Sequence, residues 1–174
     1  MTKFVLDYVN KCESWKTAIK QLHWAANSLS QHELCDDIAE LISGIQDRVS
    51  EIEQSLSGRF PIGSLSPESY KASSLKQFVT DVISDTQEFR KKLEASGERY
   101  IGIKSDVEGF IGDMQQKMYL VDFTLKENLK EKLRKQMNEE LLTINDGRNI
   151  YQLSEDEMKE MVSEAISNIR HRIN

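Results

Sequence analysis

The sequence predicts an all-α protein: a four-helix bundle with one long connection between its second and third helices, followed by an extra C-terminal helix. Three observations predict it. Apolar residues recur at three- and four-residue steps along five segments, the period of helices buried on one side. Of 174 residues, 39% are hydrophobic, 30% are charged, eight are glycine and only two are proline, a composition that suits a soluble, helix-rich chain. Both prolines fall in one segment, residues 59–74, so the breaks are concentrated rather than scattered.

The first helix is expected from Thr2 to Ala26, carried by Tyr8, Cys12, Trp15, Ile19, Leu22 and Ala26. Asn27 and Ser28 break it. Ser30, with Glu33 three residues on, has the pattern of a capping box and is the expected start of the second helix. Gly58 is its expected end, since glycine takes the left-handed conformation at a helix C-terminus without a Cβ clash. Residues 59–74 hold Pro61, Gly63 and Pro67 and read as loop, with a short turn at residues 67–70. A connection this long lets the second and third helices run parallel, whereas antiparallel neighbours need only a handful of residues.

The third helix is expected from Ser74 to Ala95, on Leu75, Phe78, Val79, Val82, Ile83, Phe89 and Leu93, and Ser96-Gly97 closes it. The fourth is expected from Lys104, on Val107, Phe110, Ile111, Met114, Met118, Val121 and Leu125, continuing through Leu129, Leu133 and Met137 to Leu142. Gly109 and Gly112 lower helix propensity by about 1 kcal/mol each and suggest close helix approach. Asn145-Asp146-Gly147 marks a turn, followed by Ile150 and Leu153. Ser154 and Glu157 form a second capping box, opening an amphipathic helix on Met158, Met161, Val162, Ala165, Ile166 and Ile169. Arg170, His171 and Arg172 stand where the helix dipole favours cations. Two domains are therefore expected: the bundle, residues 1–142, and a C-terminal helical extension, residues 143–174.

Function is sought along the second helix. His32, Asp36, Asp47 and Glu51 fall within about 100° of one helix face, roughly opposite Leu34, Ile38, Leu41, Ile42, Ile45, Val49, Ile52 and Leu56. The stripe faces away from its own core, toward solvent or a partner. Asp36 and Glu51 are fifteen residues apart, about 22 Å along a helix, so one ion cannot touch both. His32/Asp36 and Asp47/Glu51 are two half-sites at i,i+4 spacing. An antiparallel two-fold dimer sets each half-site against the other half-site of the second copy, giving two equivalent composite sites. The plain alternative is a solvated face of ordinary acids. Imidazole mixed with carboxylate suits Fe(II), Mn(II) or Zn(II). Acids clustered with no basic neighbour repel one another and favour cation entry.

Leu22-His23-Trp24, His32-Glu33, Asp36 and the Asp47-xxx-Glu51 pair together resemble the Dps-type mini-ferritins. In that family a His-Trp ends the first helix and a second His opens the next. An Asp follows four residues later, and a D-xxx-E pair lies eleven and fifteen residues beyond that Asp, spacings this chain reproduces. His23 and His32 are nine residues apart here, where the family has about a dozen, so the intervening loop is shortened. The resemblance covers roughly residues 2–128 and implies a ferritin-like bundle. It further implies a ferroxidase centre shared across a two-fold axis, with His23, His32 and Asp36 from one chain and Asp47 and Glu51 from the other. Trp24 is then an aromatic beside that centre; taken alone it reads as core or interface filler, and His23 as a satisfied core histidine. Glu40 lies between the half-sites, solvated or aiding metal transit. The implied activity is Fe(II) oxidation with hydrogen peroxide, ferric storage in a hollow dodecamer, and protection from oxidative stress.

Other classes fare less well. No E-xx-H motif occurs, which argues against a dinuclear centre inside the bundle. The net charge of −6 offers no global basic field. Lys126, Lys130, Lys132, Arg134 and Lys135 are interleaved with Glu127 and Glu131, so DNA binding is not expected. No apolar run is long enough to span a bilayer. Met1–Asp7 lacks a sustained apolar stretch before its acid, so a secretory signal is not expected. A cytoplasmic setting is expected, with Cys12 and Cys35 as free buried thiols. The C-terminal helix either packs on a bundle or docks a partner protein. That second option gives the competing reading, a non-catalytic scaffold.

Overall fold

A computed structural model describes residues 2–144 and 154–173, with side chains over residues 2–139 and 154–169. Its described residues form five α-helices and no strand: α1 (Lys3–Trp24), α2 (Leu29–Ser57), α3 (Leu75–Ala95), α4 (Ile101–Ile144) and α5 (Glu155–Ile173), with a 3-10 turn at Glu98–Tyr100. The all-α expectation holds.

Packing divides the chain into two compact units, Met1–Thr124 and Leu125–Asn174, so that α4 contributes to both. The division falls earlier along α4 than the boundary at residue 142 expected from sequence. The expected turn at residues 145–147, with Ile150 and Leu153, lies outside the described residues, as do the side chains of Arg170, His171 and Arg172.

In the first unit, the pairings across helices fix their directions. Thr2 N donates to Glu53 Oε1 and Gln46 Nε2 donates to Val9 O, while His23 meets Asp36; α1 and α2 are antiparallel. Phe4 and Tyr8 both meet Phe89, and Lys11 pairs with Asp85; α1 and α3 are antiparallel too. It follows that α2 and α3 are parallel. Lys104 with Glu94, Arg90 with Glu108 and Lys76 with Asp122 run α4 against α3. Arg48 with Asp106 and Lys117 with Asp37 run it against α2. The order is up, down, down, up, the wiring a long second connection permits.

One core lies between these helices. Trp15, Ile19, Ile38, Ile42, Phe78, Leu93, Ile103 and Met114 are fully buried in it. Tyr8 stacks on Phe89 at 3.9 Å between centroids and sets its hydroxyl 3.2 Å from Thr86 Oγ1, so a buried phenol keeps a partner. The crossover is tied down by side chains rather than by regular structure. Phe60 N donates to Gln54 Oε1, Ser66 N to Asn10 Oδ1 and Tyr70 Oη to Asp81 Oδ2.

Helix ends refine the sequence reading. Ser28, not Ser30, caps α2: it is extended (φ −144°, ψ 154°) and its Oγ accepts from Gln31 N. Ser74, expected as the first residue of the third helix, is instead its cap, accepting from Gln77 N. Gly58 ends α2 at φ +90°, the conformation that called for glycine. The expected turn at residues 67–70 is absent; the crossover's turn is earlier, where Ser64 N donates to Pro61 O. Helix α4 starts three residues before Lys104 because Tyr100 is buried against Phe4 and anchors the preceding turn. At Gly109 and Gly112 an added Cβ would meet nothing within 4 Å, so close approach is not their role; it is Gly102 that faces a neighbour, Ile52. Ser154 and Glu157 form the expected reciprocal box, Glu157 N donating to Ser154 Oγ and Ser154 N to Glu157 Oε2.

Candidate metal centre

A tight α1–α2 connection builds the centre. Trp24 is the last residue of α1 and Leu29 the first of α2, so the antiparallel pair brings the end of one helix beside the start of the next. His23 lies one residue from the end of α1. His32 and Asp36 are one helical step apart near the start of α2, His32 N bonding back to Ser28 O. One ligand atom from each of His23, His32 and Asp36 lies within 4.8 Å of the other two. The shortened loop therefore does not carry His23 away; it joins the other two directly.

The imidazoles of His23 and His32 lie 3.6 Å apart between centroids, tilted by 40°. His23 Nδ1 stands 2.8 Å from Asp36 Oδ1, yet this buried nitrogen makes no hydrogen bond. The approach is short but off the axis of an N–H donor. Two ligand atoms each about 2.1 Å from one ion and at right angles to it lie about 3 Å apart. A nitrogen and a carboxylate oxygen at that spacing, unsatisfied by each other, fit a shared cation. His23 is mostly buried whereas Asp36 is exposed, so one side of the cluster opens outward.

Asp47 and Glu51 are exposed further along α2. The helix is unbroken from Leu29 to Ser57, which holds Asp36 and Glu51 about 22 Å apart. One chain brings together His23, His32 and Asp36 and leaves Asp47 and Glu51 as a separate pair on the same outer ridge. Glu40 lies to the other side of that ridge, in the groove between α2 and α4 that Asp37, Arg48, Asp106 and Lys117 also line.

Trp24 is 70% exposed and Leu29 is 72% exposed; neither fills the core. Lys20 Nζ sits 5.5 Å from the centre of the Trp24 ring, within cation–π range. Lys16 and Lys20 line a groove together with His23, Trp24, Asp36 and Ser43. The expectation of acids without basic neighbours does not hold: α1 brings Lys16 and Lys20 to the groove that Asp36 lines. Lys16, Lys20, His23 and Trp24 recur at helical spacing on α1, and that spacing was the available signal. Cys35 lies beneath the groove, its thiol pushed up to about 11 by burial. Cys12 is held far above the ordinary thiol range for the same reason. Both are free and protonated at neutral pH, poor metal ligands and poor nucleophiles.

One more groove on this face adjoins Asp47. Next to Asp47, Lys16 Nζ donates to Gln46 Oε1 and pairs with Glu13, while Gln46 Nε2 donates to Glu13 Oε2 and Val9 O. The Lys16 charge is thereby committed to its own helix pair. Among the described residues no helix is long and apolar enough to cross a membrane. No family model, curated protein or solved structure matches the chain.

Proposed function

We propose that this chain is a Dps-like, ferritin-like iron protein that binds Fe(II) at sites completed between two copies and oxidises it with hydrogen peroxide. The convergence of His23, His32 and Asp36 carries the reading. Three side chains of the right chemistry meet from two helices, and a buried imidazole nitrogen there has no other partner. The up, down, down, up wiring with a long second connection supports the ferritin-like frame.

In this reading His23 and His32 supply neutral nitrogen donors for Fe(II), and Asp36 supplies charge that stabilises Fe(III). Three ligands leave coordination positions open for a second copy and for oxidant. Asp47 and Glu51 of that copy complete the site across a two-fold axis, since they cannot reach it within one chain. Exposed Trp24 and Leu29 flank the triad as apolar surface that such a contact covers. Two Fe(II) ions would each give up one electron, and the two electrons with two protons would reduce one hydrogen peroxide to two waters. Iron is favoured over Mn(II) or Zn(II) by the resemblance alone, and the dodecameric shell, ferric storage, oxidative-stress role and cytoplasmic setting rest on it too.

Anaerobic Fe(II) titration followed by peroxide, on the native chain and on Asp47→Ala/Glu51→Ala, tests the reading. Saturable binding and rapid oxidation, both lost in the double variant, are expected. Binding in the native chain no tighter than in the double variant sinks it. The non-catalytic scaffold reading would then stand, favoured by the apolar surface left open on the second unit.

A further inference from the structure

The crossover runs back along the α1–α2 face. Phe60 N donates to Gln54 Oε1 near the end of α2, and Ser66 N donates to Asn10 Oδ1, next to the Val9 that Gln46 meets. Leu65 lines the groove that Asp47 also lines. Between them Ser64 N donates to Pro61 O and Gly63 stands at φ +82°, the arrangement of a type II turn. That turn holds Ile62 at its apex, fully exposed. A lone exposed isoleucine is ordinary. One fixed at a turn apex, where small and polar residues dominate, is not.

The other open apolar surface of this face lies beside the triad, at Trp24 and Leu29. The two surfaces share a property of the sequence. Charged residues make up 30% of the chain, yet its two longest runs without Asp, Glu, Lys or Arg are residues 21–32 and 60–67. The first holds Trp24 and Leu29; the second is the crossover tip. The remaining large exposed apolar residues of this unit, Leu56, Ile101, Tyr119, Leu120 and Phe123, line neither groove of the α1–α2 face.

A second copy brings these surfaces together, and its position rests on the composite metal site proposed above. A two-fold axis that sets Asp36 of one copy against Asp47 of the other crosses α2 beside residues 41 and 42. Ile62 stands level with about residue 50 of α2, midway between Gln54 and Gln46. Trp24 stands level with about residue 33, since its neighbour His23 meets both His32 and Asp36. Each is about 12 Å from the axis along the helices, on opposite sides of it. The axis therefore carries Ile62 of one copy to Trp24 of the other. It carries Leu65 to Lys20, one turn earlier on α1.

We infer that the crossover tip of each copy covers the metal centre of the other: Ile62 packs on Trp24, and Leu65 packs on the aliphatic stem of Lys20. The contact occurs twice per pair, each time between uncharged stretches of chain. Because the turn already fixes Ile62, docking orders little that is not ordered before. The cover closes the side on which Asp36 is exposed and displaces water from it.

Full-length chains test this. Ile62→Cys protein is mixed with Trp24→Cys protein and oxidised; Leu65→Cys with Lys20→Cys covers the adjacent contact. The native thiols are buried. Disulfides require Cβ atoms about 4 Å apart, so a covalent dimer is expected in one mixture or both. None is expected from the Ile62→Cys or Trp24→Cys protein alone, because like positions stand about 24 Å apart across the axis. No mixed dimer, or one no faster than the single proteins give, overturns the inference. Fluorescence gives a second readout. The chain has two tryptophans and Trp15 is buried, so acrylamide quenching reports Trp24. Ile62→Asp, at a site its own fold leaves exposed, should restore quenching of Trp24 and weaken association by roughly tenfold or more, about 1.4 kcal/mol. Quenching and sedimentation both unmoved by Ile62→Asp count equally against it. The iron titration separates the two failures. Fe(II) binding that depends on Asp47 and Glu51, with no mixed dimer, removes the cover alone. A mixed dimer in a chain that binds no Fe(II) keeps the contact between copies and removes the metal site.

Discussion

His23 Nδ1 lies 2.8 Å from Asp36 Oδ1 without a hydrogen bond between them. The pair therefore contributes little to holding the apo fold, while its atoms stand at the separation of two ligands on one ion. Asp36 is exposed, and exposed ion pairs contribute about 0–1 kcal/mol. Asp36→Ala is accordingly expected to leave the apo melting temperature nearly unchanged. Metal should separate the two proteins. A ligand at one hundred times its Kd stabilises the folded state by about 2.7 kcal/mol, and the variant should lose most of that rise. Melts with and without added Zn(II) check this; an equal rise in both proteins removes Asp36 from the site.

Glu53 offers a different kind of test. It is completely buried in α2. Its Oε1 accepts from Thr2 N, at the cap of α1, and its Oε2 has no partner. A buried polar atom left unpaired costs about 1–3 kcal/mol. Glu53→Gln keeps the acceptor toward Thr2 and carries no formal charge at any pH, so it should be neutral or stabilising. Glu53→Ala, which removes the acceptor and leaves a void, should destabilise by about 2 kcal/mol or more. Denaturant unfolding of both variants decides. A large loss in Glu53→Gln would mean that the carboxylate has a cationic or donor partner that the amide cannot serve.

Much of the frame was legible from spacing alone. Apolar period placed the helices, and serine or glycine marked several of their ends, because caps are local chemistry. Crossover length implied parallel α2 and α3, and the cross-helix pairs agree. What spacing could not supply came from neighbouring helices. Ser28 rather than Ser30 is the cap because its backbone is extended and its Oγ accepts from Gln31 N. The beginning of α4, three residues before Lys104, is set by burial of Tyr100 against Phe4. Lys16 and Lys20 come beside Asp36 only in the folded pair, because a groove is made by two helices and spacing along α2 describes one. Glu53 interrupts no pattern, since a buried acid is recognisable only once Thr2 is seen to cap its helix beside it.

The last relationship links α1 to α2 through charge. Lys16 Nζ lies 2.8 Å from Glu13 Oε2, and both side chains engage Gln46, which is itself buried. The hydrogen bond from Lys16 holds the Glu13 carboxyl below the ordinary glutamate range, with a smaller contribution in the same direction from Gln46. A depressed folded value has one sign: the ionised acid stabilises the fold at pH above its unfolded value, about 4.3. That contribution is lost as pH falls from there through the folded value. Glu13→Gln cannot titrate, so its stability should fall less steeply between about pH 5 and 3 than that of the native chain. At neutral pH the variant should be the less stable of the two, because Lys16 loses its counter-ion while Gln46 keeps an oxygen to donate to. Thermal midpoints across that range measure the difference directly. Parallel curves would show that Glu13 carries no acid-linked stability and that Gln46, with its bond to Val9 O, joins the two helices without it.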